Sequence, residues 1–199
     1  MKKKRCAWPG EDALMIKYHD REWGKPERSD AKIFRAILLD TFQAGLSWRI
    51  VLHKRENFAK AFDNFDYEKI AKYGEAKKAK LLVDAGIIRN RLKINGTIEN
   101  AKAFIQVRKE FGTFSKYIWS FVKGKPIVNK YKTHSQIAAR TPLSDKIAAD
   151  MEVRGFKFCG STVTYAFMQG IGMVNDHLMS CFRYKNLKKL HIVQPKEQL

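Results

Sequence analysis

The chain has 199 residues, 45% of them hydrophobic, with thirteen Phe, seven Tyr and four Trp. That is enough large apolar side chains for a sizeable core, so neither disulfides nor a disordered chain is called for. Thirty-nine Lys and Arg against twenty Asp and Glu leave a formal charge of +19, a field that attracts phosphate polyanions or an anionic membrane surface, although a lysine-rich surface kept for solubility reads the same way.

The N-terminal MKKKRC has no apolar run behind it as a secretory signal would, and no stretch approaches the roughly 20 apolar residues of a membrane span. A cytoplasmic protein is expected. Cys6, Cys159 and Cys181 are odd in number and far apart, which in a reducing compartment suits thiols or metal ligands better than a disulfide framework.

Taken in chain order, the first helical pattern is Ile33, Phe34, Ile37, Leu38 and Phe42, with Ser29 or Asp30 placed to cap its start. Helices follow at 47–62, 75–85, 89–111, 113–122, 144–154, 162–171 and 176–182. Gly86, Gly112, Gly124 and Gly155 stand where C-terminal glycines belong. The stretch 124–142 reads as a long surface connection. Period-two alternation is scarce, and the expected fold class is all-α. A basic tail, 184–199, is partly ordered by Leu187, Leu190 and Ile192 at most, leaving 1–183 as one bilobal domain.

Four constellations carry chemistry. Cys6 and His19 near the start complement His177 and Cys181 near the end; on the expected helix the latter two, four residues apart, share a face. A Cys2His2 set completes a tetrahedral structural zinc site, and ligands from both termini would clip the chain ends together. A buried thiol beside ordinary histidines is the plain alternative. Cys159 reads as a small buried residue, and His53, His134 and His191 as solvated.

Trp8, Tyr18, Trp23 and Trp48 are either core or the walls of a pocket that stacks on a flat, cationic ring. In LLDTFQAGLSW a helix carrying Asp40 runs into Gly45, which permits a tight turn, and Leu46, which either packs between helices or projects as an apolar wedge into a duplex. In RGFKFCGSTVTYAFMQ, Gly155 and Gly160 bracket a turn, and Ser161 or Thr162 opens a helix whose backbone N–H groups can hold a phosphate. DAGIIRNRLKI adds a second helix–turn–helix run with Arg89, Arg91 and Lys93. Either run is also consistent with an ordinary helical hairpin.

Together CAW, YHDREWG, FQAGLSW, KRENF, DAGIIRNRLKI, WSFV, RGFKF, YAFMQ and GMVNDHLMSC closely resemble the 3-methyladenine DNA glycosylase I family, a branch of the helix-hairpin-helix glycosylases, over most of residues 5–182. The resemblance implies that a base is everted from double-stranded DNA and its N-glycosidic bond hydrolysed by a monomeric enzyme. Cys6, His19, His177 and Cys181 then correspond to ligands of one structural Zn2+. Tyr18 and Asp40 would be the catalytic pair, and with Trp48 they would cradle the base between further walls from Trp8 and Trp23. Gly45 and Leu46 would form the wedge, and Gly160, Ser161 and Thr162 the phosphate-binding hairpin. The family commonly has glutamate where this chain has Asp40, so the carboxylate is one methylene shorter. Asp176 follows the YAFMQ helix at a spacing suggestive of the catalytic aspartate of other helix-hairpin-helix glycosylases. The family is described without that residue, so Asp176 is read as structural.

Overall fold

A computed structural model of the chain describes residues 3–192, with side chains through residue 187. Leu190, His191, Ile192 and the tail beyond them fall outside the described side chains.

The first helix, α1 (Ala13–Arg21), is not among those expected from the sequence. It is set by Asp12, whose carboxylate accepts the N–H groups of Leu14 and Met15, two donors that otherwise lack intrahelical partners. The helix carries Tyr18 and His19.

The second, α2 (Asp30–Gln43), is the hub of the core. Ile33, Phe34, Leu38 and Phe42 are almost fully buried, and so are Leu39, Asp40 and Thr41, so the helix is enclosed on nearly all sides. Ser29 occupies the N-cap position without a side-chain cap. Asp30 turns outward from its own helix and accepts Arg108 Nε at 2.8 Å and the N–H groups of Phe114 and Ser115 at 3.0 and 2.8 Å, tying the start of α2 to a helix eighty residues later.

The single helix expected over 47–62 breaks at Lys54 into α3 (Trp48–His53) and α4 (Arg55–Ala61). The KRENF segment at that break serves as a tether. Lys54 Nζ donates to the carbonyls of Ala85 and Gly86, and Asn57 also donates to Gly86. Then come a short α5 (Tyr67–Ile70), α6 (Glu75–Val83), the 21-residue α7 (Arg91–Phe111) and α8 (Phe114–Ser120).

The connection expected over 124–142 is largely irregular. It contains β1 (Ile127–Val128), which pairs in parallel with β2 (Val174–Asn175), a small exception to the all-α expectation. Beyond it lie α9 (Pro142–Val153), α10 (Ser161–Gly170) and α11 (Phe182–Ile192). The last corrects the sequence reading in two ways. Residues 176–181 are turns rather than helix, because the chain leaves β2 extended and folds back through the Cys181 N–H to Leu178 carbonyl bond at 2.7 Å. The lysine-rich stretch after Arg183 begins as helix, with Tyr184 and Leu187 buried.

One hydrophobic core fills the space between α2, α7, α8, α9 and α10. A smaller cluster of Cys6, Trp23 and Cys181, flanked by Trp8, Tyr18, Leu178 and Phe182, gathers both chain ends. Gly172 closes the gap between them: a Cβ there would lie 2.4 Å from the carbonyl carbon of Lys25, and its φ of +72° is left-handed, so only glycine fits.

Candidate active site and metal centre

Four elements meet around a recess of about 210 Å3. Tyr18 comes from the second turn of α1, Asp40 and Gln43 from the end of α2, Trp48 from the first position of α3, and Ala166 and Gln169 from α10. Trp8, Trp23, His134 and Ile137 complete the lining. The five aromatic and acidic residues singled out from the sequence therefore share one cavity. The Tyr18 and Trp48 rings stand 5.1 Å apart, and Trp8 meets Trp23 edge to face at 5.2 Å.

Asp40 is 7% exposed, and its carboxylate makes no hydrogen bond or ion pair among the described residues. Burial pushes its pKa well above the usual carboxylate range. Burial, then the nearby Asp40 charge, also pushes the Tyr18 phenol up, so it keeps its proton and can donate. The indole N–H groups of Trp8 and Trp48 are buried without partners among the described residues. Such a recess, with flat apolar faces, a carboxylate lacking a counter-charge and idle donors, suits a planar cation.

A second cavity of about 300 Å3 lies on the other side of Tyr18, Asp40 and Trp48. Across it, Arg55 Nη1 donates to both carboxylate oxygens of Glu22 at 3.0 and 2.8 Å. These two residues, from KRENF and YHDREWG, hold α4 against the end of α1.

Behind the aromatic wall sit Cys6, His19, His177 and Cys181, all buried, with one donor atom of each lying within 4.8 Å of the others. Cys181 Sγ is 3.6 Å from both His19 Nε2 and His177 Nδ1, and Cys6 Sγ is 3.8 Å from His177 Nδ1. Ligands at about 2.3 Å (S) and about 2.0 to 2.1 Å (N) on a tetrahedron would stand roughly 3.5 Å apart, so the set fits one ion with little adjustment.

The outer nitrogens agree. His19 Nδ1 meets Asp20 Oδ1 at 2.8 Å, and His177 Nε2 meets the Trp23 carbonyl at 3.1 Å, so each imidazole is fixed in the tautomer that aims its other nitrogen's lone pair at the centre. Hydrogen bonds from Cys6 and the two imidazoles pull the Cys181 thiol strongly down, which favours a thiolate there. The four ligands converge as expected, but His177 and Cys181 do so through a turn rather than along a helix face.

At the mouth of the recess, Gly45 takes φ +76° with open space around it, and Leu46 at the next position is 40% exposed. Gly155 is left-handed at +93°, Gly160 is the N-cap of α10, and Gly160 and Thr162 are exposed. The Ser161 hydroxyl is engaged with Ser144 at 2.8 Å, leaving mainly the backbone of that turn to meet a ligand. Arg89 and Arg91 are exposed. Lys93, grouped with them from the sequence, is not: it is 7% exposed, and its Nζ caps the end of α2 by donating to the Phe42 and Ala44 carbonyls at 2.8 and 2.5 Å.

Sequence reasoning assigned nothing to Gln43, Ala166, Gln169, Ile137 or His134 in the recess. Gln43 and Gln169 stood inside the quoted FQAGLSW and YAFMQ motifs, which was the available signal. His134 arrives from the long connection, where no pattern predicts its direction.

A helical scaffold holding an aromatic recess with a buried acid, beside an exposed apolar turn and a glycine-bracketed helix start, fits a DNA glycosylase. The family model for methyladenine glycosylases matches residues 8–184, and the chain belongs to that family. It is 45% identical over 185 residues to DNA-3-methyladenine glycosylase 1 of Escherichia coli (strain K12), covering 93% of this chain and 99% of the relative. Identity to DNA-3-methyladenine glycosylase of Haemophilus influenzae (strain ATCC 51907 / DSM 11121 / KW20 / Rd) is also 45%, over 89% of this chain and 96% of that one.

Among solved structures, a crystal structure of 3-methyladenine DNA glycosylase I superposes with a TM-score of 0.88 at 45% identity, covering 90% of this chain and 98% of that one. The Staphylococcus aureus 3-methyladenine DNA glycosylase I reaches 0.88 at 28% identity, covering 98% of both chains.

Proposed function

We infer that this chain is a DNA-3-methyladenine glycosylase, hydrolysing the bond between an N3-methylated adenine and its deoxyribose in double-stranded DNA. The observation that carries this reading is the Asp40 carboxylate, buried and with no ion pair among the described residues, in the recess that Tyr18 and Trp48 also line. Ionising a buried acid is costly unless a cation arrives beside it. A base methylated at N3 is such a cation, and a normal adenine is not.

In this mechanism Leu46 enters the duplex and occupies the space left by the everted nucleotide, while the exposed backbone around Gly160 and Thr162 holds a phosphate. The base stacks on Trp48 and Tyr18, with Trp8 and Trp23 as outer walls. The positive charge makes it a good leaving group: the C1′–N9 bond breaks with its electron pair passing to the ring, and water adds at C1′ and releases a proton. Asp40 and Tyr18 are the catalytic residues in the sense that they touch the reacting base and stabilise its charge. Selection comes from a recess too poor in acids to drive out a neutral purine.

Zn2+ is the metal that best suits two thiolates and two imidazoles in a closed tetrahedral set. One ion per chain held by Cys6, His19, His177 and Cys181 would supply the charge that keeps two adjacent thiolates together and would fasten the chain ends. All four positions are filled by protein, so its contribution is structural.

The partner is double-stranded DNA, met by a surface carrying a formal +19. The enzyme works as a cytoplasmic monomer, and no described helix is long and apolar enough to cross a membrane. Chromatography of bases released from methylated DNA tests the reading. Free 3-methyladenine is the expected product; binding without release of any base would reject it.

A further inference from the structure

Asp176 is 1% exposed and receives three donors: Tyr165 Oη at 2.7 Å and Gln169 Nε2 at 2.8 Å on one oxygen, and Asn129 Nδ2 at 2.7 Å on the other. Asp176 directly precedes the ligand His177, but none of these side-chain hydrogen bonds goes to a residue of the metal set, and the reaction outlined above does not use them. Gln169, however, lines the base recess.

A carboxamide presents a donor on one side and an acceptor on the other, and only its partners decide which faces where. Here the choice is forced. Turning the amide over would set Gln169 Oε1 against an oxygen of the buried Asp176 carboxylate, acceptor to acceptor. The amide nitrogen therefore stays on Asp176. Gln169 Oε1 accepts no hydrogen bond among the described residues, yet it is not sealed off as an orphaned buried atom. The backbone is held as firmly, since the Gln169 carbonyl accepts the N–H groups of Gly24 at 3.0 Å and Gly172 at 3.2 Å.

We propose that the Gln169 carbonyl reads the exocyclic amine of the everted base, and that Asp176 is the positioning residue that fixes the amide in the reading orientation. The proposal rests on the glycosylase reading above and names how that site tells one purine from another. With Asp40, the recess then offers two acceptors, and an adenine-type base brings two N–H donors on one nitrogen. A guanine-type base brings an oxygen at the same ring position and meets acceptor with acceptor. A site built to hydrogen-bond a group discriminates strongly against an analogue lacking it.

Single-turnover release of 3-methyladenine and 3-methylguanine from methylated DNA tests this, because both lesions carry the same N3-methyl cation and differ at the position Gln169 would read. Wild-type protein releasing no 3-methyladenine would overturn the glycosylase reading itself. Given that release, Gln169→Leu is expected to lower the ratio of 3-methyladenine to 3-methylguanine rates about tenfold, mainly through the adenine lesion, with metal content and melting temperature as in wild type. An unchanged ratio, or equal loss on both lesions, overturns the role of Gln169. Asp176→Asn, which offers Gln169 both a donor and an acceptor and so frees the amide to turn, should move the ratio the same way. If Gln169→Leu lowers the ratio and a folded Asp176→Asn does not, the positioning half is wrong.

Discussion

The carbonyl of Trp23 meets His177 Nε2 at 3.1 Å while the two rings stand 4.5 Å apart edge to face, so one residue belongs both to the wall of the base recess and to the outer shell of the Cys2His2 centre. Trp8 makes the same link through its ring, 5.4 Å from that of His19. The metal set therefore braces the recess as well as the chain ends.

Loss of the ion should accordingly disturb the recess. Cys181→Ala is expected to lose stoichiometric metal and about 3–5 kcal/mol of stability, roughly 10–15 °C in Tm for a chain of this length. Tryptophan fluorescence should change with the loss. Metal analysis of freshly purified wild-type protein finding no bound zinc would remove the basis of this expectation.

Asp40 sets function against stability, and pH separates the two. Burial raises its pKa in the folded chain above the unfolded value, so its favourable, protonated contribution is complete below the unfolded pKa and is lost as pH rises through the folded one. Asp40→Asn removes that loss. Its Tm relative to wild type should climb as pH increases from about 4 toward 8, while 3-methyladenine release falls by about 100-fold or more. A Tm difference that stays flat over that range would show that Asp40 is not desolvated in the apo protein.

Leu46 is 40% exposed and belongs to neither hydrophobic cluster of the described residues, so its truncation should cost binding more than stability. Leu46→Ala is expected to leave Tm within about 2 °C and to weaken binding to lesion-bearing duplex about tenfold, with a smaller effect on single-stranded DNA. Gly45→Ala places a side chain at φ +76° in open space, so only backbone strain of about 1 kcal/mol is added. Equal weakening on both kinds of DNA would argue against a wedge.

Lys93 and Arg91 lie two residues apart and should behave differently. Lys93→Met leaves the Phe42 and Ala44 carbonyls without their donor and is expected to cost about 1–3 kcal/mol of stability, with the salt dependence of DNA binding unchanged. Arg91→Ala should leave stability alone and reduce the slope of log affinity against log salt by about 1 if Arg91 contacts a phosphate. Titrations at several salt concentrations distinguish the two.

Residue identity and spacing were sufficient to read the helical class, the Cys2His2 set and the aromatic and acidic lining, because each depends on chemical type in a recognisable order along the chain. Packing decided the rest. Helix α1 is amphipathic but only nine residues long, and a single carboxylate sets its start. His177 and Cys181 are brought together by a turn that mimics the reach of a helix, since four-residue spacing does not distinguish the two. Lys93 looks like a phosphate ligand among its basic neighbours until α2 arrives with its carbonyls. Gln169 and Asp176 acquire a direction only when α10, the loop bearing Asn129 and the strand ending at Asn175 enclose one carboxylate. Hydrogen-bond orientation in a buried network is a property of partners far apart in sequence, and only the folded chain supplies them.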